Sequence, residues 1–193
     1  MAIIYDAILV PGKLDIIGQW LDSQPWAGPG ALTQLGSYRF DDPAGEVGIE
    51  AMVLRRGERA LHVPVTYRSG PLEGGEDALL GTIEHSVLGR RWVYDATADP
   101  VAVACYARAL QGSQDQAVHE IWEGQTMVEV REPSARLRLE SGSAGGAESA
   151  AQVRSEGVTL RIARVLDEGL DGPRRLVAAW DGGTATVAAL VEV

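Results

Sequence analysis

The sequence predicts an α+β protein: a single domain in which a large, curved antiparallel β-sheet wraps around one or two helices. Three observations predict it. Apolar residues recur at every second position through about ten short runs, the period of a strand with one buried face. Turn residues sit between consecutive runs, so most connections read as hairpins. Two other stretches carry helical spacing or helix-end signals.

In chain order, "AIIYDAILV" at 2–10 is rich in β-branched residues and ends at Pro11-Gly12, so it reads as an edge or core strand. In "KLDIIGQWLDSQ" at 13–24, Leu14, Ile17 and Leu21 share a face near Trp20, the pattern of an amphipathic helix of about three turns. Asp42-Pro43-Ala44-Gly45 predicts a turn. The strands around it place Val47, Ile49, Ala51 and Val53 on one face. In "RALHVPVTYR" Leu61, Val63, Val65 and Tyr67 share a face opposite His62, Thr66 and Arg68, and Pro64 predicts an edge strand or a bulge. "ALLGTIEHSVL" at 78–88 and "RRWVYDA" at 90–96 read as a hairpin with its turn near Gly89. Asp99 as N-cap, Pro100 at the first helical position and Gly112 beyond the end bound a second helix. Ser113 and Gln116 predict a capping box for a short helix through Trp122. The last third alternates again in "TMVEVRE", "ARLRLES", "GVTLRIARVL", "RRLVAAWD" and "TATVAALVEV", with Asp181-Gly182-Gly183 turning the final hairpin. The stretch "SGSAGGAESA" at 141–150 reads as a flexible loop.

Composition narrows the function. The 193 residues suit one domain with a proper core, and 46% hydrophobic with 23% charged residues is a globular balance. A formal net charge of −10 would repel a phosphate backbone or an anionic membrane surface, so neither nucleic acid nor membrane is expected as a partner. Cys105 is the sole cysteine, which excludes an intrachain disulfide and fits a reducing cytoplasm. The first residues lack a basic region and a long apolar run, so they predict neither a signal peptide nor a membrane span.

Searches for chemistry return little. "AILVPGKL" at 7–14 departs from a phosphate-binding loop at Ala7 and Leu14, leaving Lys13 as a solvated residue of a helix's first turn. No dinucleotide fingerprint and no nucleophile elbow occur. Cys105 lies among alanines on the second helix and reads as a buried, inert thiol. His62, His85 and His119 are widely spaced and form no ligand motif, so no metal or cofactor is expected.

The richest stretch is "GTIEHSVLGRRWVYD" at 81–95. Strand geometry sends Glu84 and His85 to opposite faces, which excludes a shared metal or a catalytic pair. His85 is expected at the margin of the apolar face and Glu84 opposite an arginine across the hairpin. Trp92 and Tyr94 share a face and suit core packing, or else an aromatic contact surface flanked by Arg90 and Arg91. Asp95 and Asp99 read as capping and turn residues. The candidate binding surface is therefore Glu84, His85, Arg90, Arg91, Trp92, Tyr94 and Asp95, with no catalytic residue among them.

Three blocks carry a family resemblance: "IIYDAILVPGKLDIIGQWLDSQPW", "YRFDDPAGEVGIE" and "HVPVTYRSGPLEGGEDALLGTIEHSVLGRRWVYDATADP". Together they resemble the N-terminal cap domain of actinobacterial maltokinases and related sugar kinases, and more closely the short stand-alone proteins built around that cap. The likeness is clear from residue 1 to about 125 and vague beyond. It implies a cystatin-like curved antiparallel sheet with a helix. It also implies that ATP and sugar are handled by other parts of a kinase. A kinase-type lobe needs a His-x-Asp loop. None of the three histidines has Asp two residues later, so the family's catalytic residues do not carry over.

The expectation is a non-catalytic orphan cap: a cytoplasmic interaction or regulatory protein linked to sugar or α-glucan metabolism. Its partner would be a separately encoded kinase-like protein or another copy of itself. The alternative is a small-molecule protein, binding a sugar or sugar phosphate or acting as an unrecognised enzyme, that uses the concave face of the sheet.

Overall fold

The computed structural model describes the backbone of residues 2–5, 7–123, 126–142 and 147–191, with side chains at 7–118, 129–142 and 147–191. The expected flexible loop at 141–150 falls partly outside the described residues.

Six strands form the first sheet: β2 (Leu9–Val10), β3 (Leu32–Phe40), β4 (Gly48–Arg56), β5 (Arg59–Arg68), β6 (Leu79–His85) and β7 (Gly89–Asp95), in the order β2-β6-β7-β5-β4-β3 with every pair antiparallel. The expected long first strand is two pieces, β1 (Ala2–Tyr5) and β2. A second antiparallel sheet holds β10 (Ala135–Ser141), β11 (Ala151–Ser155), β12 (Val158–Ile162), β13 (Arg174–Trp180) and β14 (Gly183–Leu190), ordered β10-β13-β14-β12-β11. A small third sheet joins β1 in parallel to β8 (His119–Glu123), and β8 antiparallel to β9 (Thr126–Arg131). With helices α1 (Lys13–Asp22) and α2 (Pro100–Gln111), this is a mostly-β α+β domain whose antiparallel sheet curls into a half-barrel.

The first sheet is buried on both faces, not on one as strict alternation predicts. On one face Tyr38, Phe40, Ile49, Ala51 and Val53 pack with α2 and with Leu160, Ile162, Leu176 and Leu190 of the second sheet. On the other, Met52, Leu54, Leu61, Val63 and Val65 pack against Ile16, Ile17 and Leu21 of α1. Hence β4 and β5 read as near-continuous buried runs. Each such buried apolar side chain contributes about 1.5–3 kcal/mol.

Pro64 does not mark an edge: β5 lies between β7 and β4. The amides of Ala60 and His62 point away from β4, to Asp167 Oδ2 at 2.9 Å and to the Arg164 carbonyl at 2.9 Å. By alternation the nitrogen of Pro64 faces the same side. There β7 pairing starts only at Val65, so no donor is required.

The predicted helix through Trp122 is absent. Residues 114–117 instead run beside two sheet edges. Gln114 Nε2 donates to the Asp41 carbonyl (2.9 Å) and the Ala117 amide to the Arg39 carbonyl (2.8 Å), beside edge strand β3. Gln116 donates to the Ala135 carbonyl (3.2 Å) and accepts from the Leu137 amide, imitating a strand partner for edge strand β10. The chain then enters β8.

Strand β11 went unforeseen. It pairs with β12 across Glu156-Gly157, whose φ values of 51° and 76° put both turn residues in the left-handed region. Glutamate seldom occupies that position, so the sequence carries no turn signal there.

Helix α2 follows its predicted ends. Asp99 accepts from the Val101 amide (3.0 Å), Pro100 opens the helix, and Gly112 closes it at φ 81°. Cys105 is buried, and burial raises its thiol pKa. Among the described residues no helix is long and apolar enough to cross a membrane.

Candidate functional site

The β6–β7 hairpin divides the seven sequence candidates between two faces. Glu84 pairs with Arg90 in register, and their side chains meet at 2.7 Å, both more than half exposed. An ion pair so solvated stabilises by less than about 1 kcal/mol. Trp92 lies on that face at intermediate exposure. Tyr94 shares it, but only 2% of it is exposed, and its hydroxyl accepts from the Leu72 amide at 2.9 Å. That is a correction to the candidate surface: Tyr94 packs in the interior and cannot present a contact.

Asp95 is also committed internally. Its carboxylate accepts from the Thr97 amide (3.1 Å) and is ion-paired with Arg164. Arg164 is itself buried, and its guanidinium lies 5.7 and 5.4 Å from the ring centroids of Trp20 and Trp26. Asp95 thus fastens the hairpin to the segment after β12.

His85 and Arg91 occupy the opposite face. His85 Nδ1 accepts from the Val87 and Leu88 amides (3.2 and 3.1 Å), closing the turn. Burial, then the nearby Arg91 and Lys13 charges, lower its pKa. Arg91 is half-buried, and its Nη1 donates to the Arg90 carbonyl at 3.4 Å.

His85 and Arg91 line a pocket of about 460 Å³ together with Lys13, Arg39, Tyr67 and Ile83. That size suits a small molecule. Three of these lining residues, Lys13, Arg39 and Tyr67, converge on the buried Glu50, 6% exposed. Lys13 Nζ donates to Glu50 Oε2 at 2.6 Å, Arg39 Nη2 lies 3.3 Å away, and the Tyr67 hydroxyl donates at 3.1 Å. Burial alone would raise the Glu50 pKa. Arg39 and Lys13, with the hydrogen bonds from Lys13 and Tyr67, outweigh it and hold the carboxyl at about 2. Burial and the adjacent Glu50 charge push the Tyr67 hydroxyl well above its ordinary value. Lys13 is therefore not the solvated residue its sequence context predicts.

Sequence reasoning missed this cluster. Arg39 and Glu50 are cross-strand neighbours on β3 and β4, a relation legible once the Asp42–Gly45 turn sets the register. Lys13 comes from a helix 37 residues from Glu50, and no local signal joins them. Among the described residues no group of His, Cys, Asp and Glu is placed to hold a metal ion.

Residues 20–99 match the family model of the maltokinase N-terminal cap domain. No curated protein matches the sequence. The matched segment starts in α1, takes in strands β3 to β7 and ends at Asp99, the N-cap of α2. Over those residues the chain is similar to a maltokinase N-terminal cap domain.

Proposed function

We propose that these 193 residues act as a non-catalytic cap module that associates with another protein in sugar or α-glucan metabolism, through the open edge of the first sheet. The observation that carries this reading is an exposed apolar cluster at that edge. Ile8 is 73% exposed, Val10 61%, Val87 54% and Leu88 40%. They are neighbours: the Ser86 amide donates to the Ile8 carbonyl at 3.0 Å, and Val10 stands opposite Glu84. The central strands β4 and β5 are covered on both faces by the chain's own helices and second sheet, and the β2 edge is where apolar side chains and the backbone of an edge strand stand open together. The match to a kinase's cap and the absence of a His-x-Asp sequence support a role without phosphotransfer. The partner is a separately encoded kinase-like protein or a second copy of this chain.

The test pairs wild type with an Ile8→Asp, Val10→Asp variant, in affinity capture from native lysate and in light scattering. Wild type should form a dimer or retain a partner that the variant loses. A monomeric wild type that captures nothing would contradict the reading, as would a variant that keeps every contact wild type makes.

A further inference from the structure

The pocket beneath the hairpin has more hydrogen-bond donors than the protein satisfies. The Nε of Arg39 is buried and has no hydrogen-bond partner among the described residues. Arg91 faces the same space and forms no ion pair among the described residues.

The carboxylates nearby are largely spent. Glu50 receives Lys13, Arg39 and Tyr67. Asp42, on the β3–β4 loop, accepts from the amides of Ala44, Glu46 and Val47 at 3.0, 3.0 and 2.9 Å. Asp41 is engaged, and Glu46 is exposed to solvent at the rim. Burial first, and then the charges of Arg91 and Lys13, lower the pKa of His85, so both cations act on the group between them. Buried guanidinium donors without acceptors are costly, and an oxyanion satisfies them with charge-assisted bonds.

We propose that this pocket binds a small molecule through an oxyanion group, a phosphate monoester or a carboxylate, gripped by Arg91 and Arg39 with Lys13 beside them. A volume of about 460 Å³ leaves room for a body beyond the anionic group, against the side chain of Ile83. This site adjoins the apolar edge, with Leu88 belonging to both, but its charged grip does not depend on that edge binding a protein.

Phenyl phosphate, benzoate and the neutral benzyl alcohol, each titrated at constant ionic strength, test it. Binding is read by calorimetry and by amide shifts over residues 83–91. At least one of the two anions should bind saturably and move those amides, and the alcohol should not. Which anion binds more tightly identifies the headgroup. Arg91→Gln should weaken binding about tenfold or more, the loss of one charge-assisted bond. The amide shifts of the wild-type protein decide the location should the variant fail to fold. Failure of both anions to saturate, equal binding of the alcohol, unchanged binding in Arg91→Gln, or shifts confined to other residues would each overturn the proposal.

Discussion

His62 is fully buried and polar, yet every hydrogen-bonding atom of its ring is used. Its Nδ1 lies 3.0 Å from the Ala163 carbonyl, which can only accept, so Nδ1 carries the proton. Its Nε2 then accepts from the Tyr38 hydroxyl (2.8 Å), and Tyr38 accepts from Tyr106 (2.8 Å). Burial lowers the His62 pKa from 6.5 to about 4. The fold therefore favours neutral His62. Its stabilising contribution is complete above pH 6.5 and is lost as pH falls through about 4. Glu50 acts in the same direction at lower pH, its contribution being lost between 4.5 and about 2. The unfolding free energy from urea titration should begin to fall below pH 6.5, by at most about 1.4 kcal/mol per pH unit for His62 alone. A flat profile from pH 7 to 5 would contradict this. Tyr38→Phe removes the donor at 2.8 Å and leaves His62 Nε2 only the Tyr106 hydroxyl at 3.4 Å, and should cost about 1–3 kcal/mol in urea denaturation at pH 7.

Elements differ in how far local sequence specifies them. Helix α2 was legible because its caps are local: Asp99, Pro100 and Gly112 act within one turn of its ends. The opposition of Glu84 and His85 was legible because alternation on a strand is geometric. Strand β11 was not, because its turn uses Glu156 at a φ of 51°. The pocket was not, because Lys13, Arg39 and Tyr67 meet at Glu50 only through tertiary packing. Burial also separates the carboxylates of the hairpin region. Asp99 is fully buried and accepts from Thr66 (2.8 Å), bidentately from Arg68 (2.7 Å each) and from the Val101 amide (3.0 Å). Asp99→Ala should cost about 3–5 kcal/mol in chemical denaturation, since it strands Arg68 and uncaps α2. Glu84→Ala, at the solvated pair, should cost less than about 1 kcal/mol. Equal losses for the two would refute the distinction.

At the scale of the whole molecule, the family match ends at Asp99, but the core does not. Tyr38 and His62 lie inside the matched segment, while their partners Tyr106 and Ala163 lie beyond it. The apolar face bearing Tyr38, Phe40, Ile49, Ala51 and Val53 is closed by α2 and the second sheet. The later half of the chain is the built-in cover of that face of the first sheet, and the β2 edge is the site of association we propose. Native-state hydrogen exchange tests the claim most directly. The most protected amides of β4 and β5 and those of β13 and β14 should share one opening free energy, equal to that of global unfolding. Exchange of β13 and β14 through a lower-energy opening, with β4 and β5 still protected, would contradict it. The second sheet would then be a detachable lid, and the face of the cap sheet a surface open to partners.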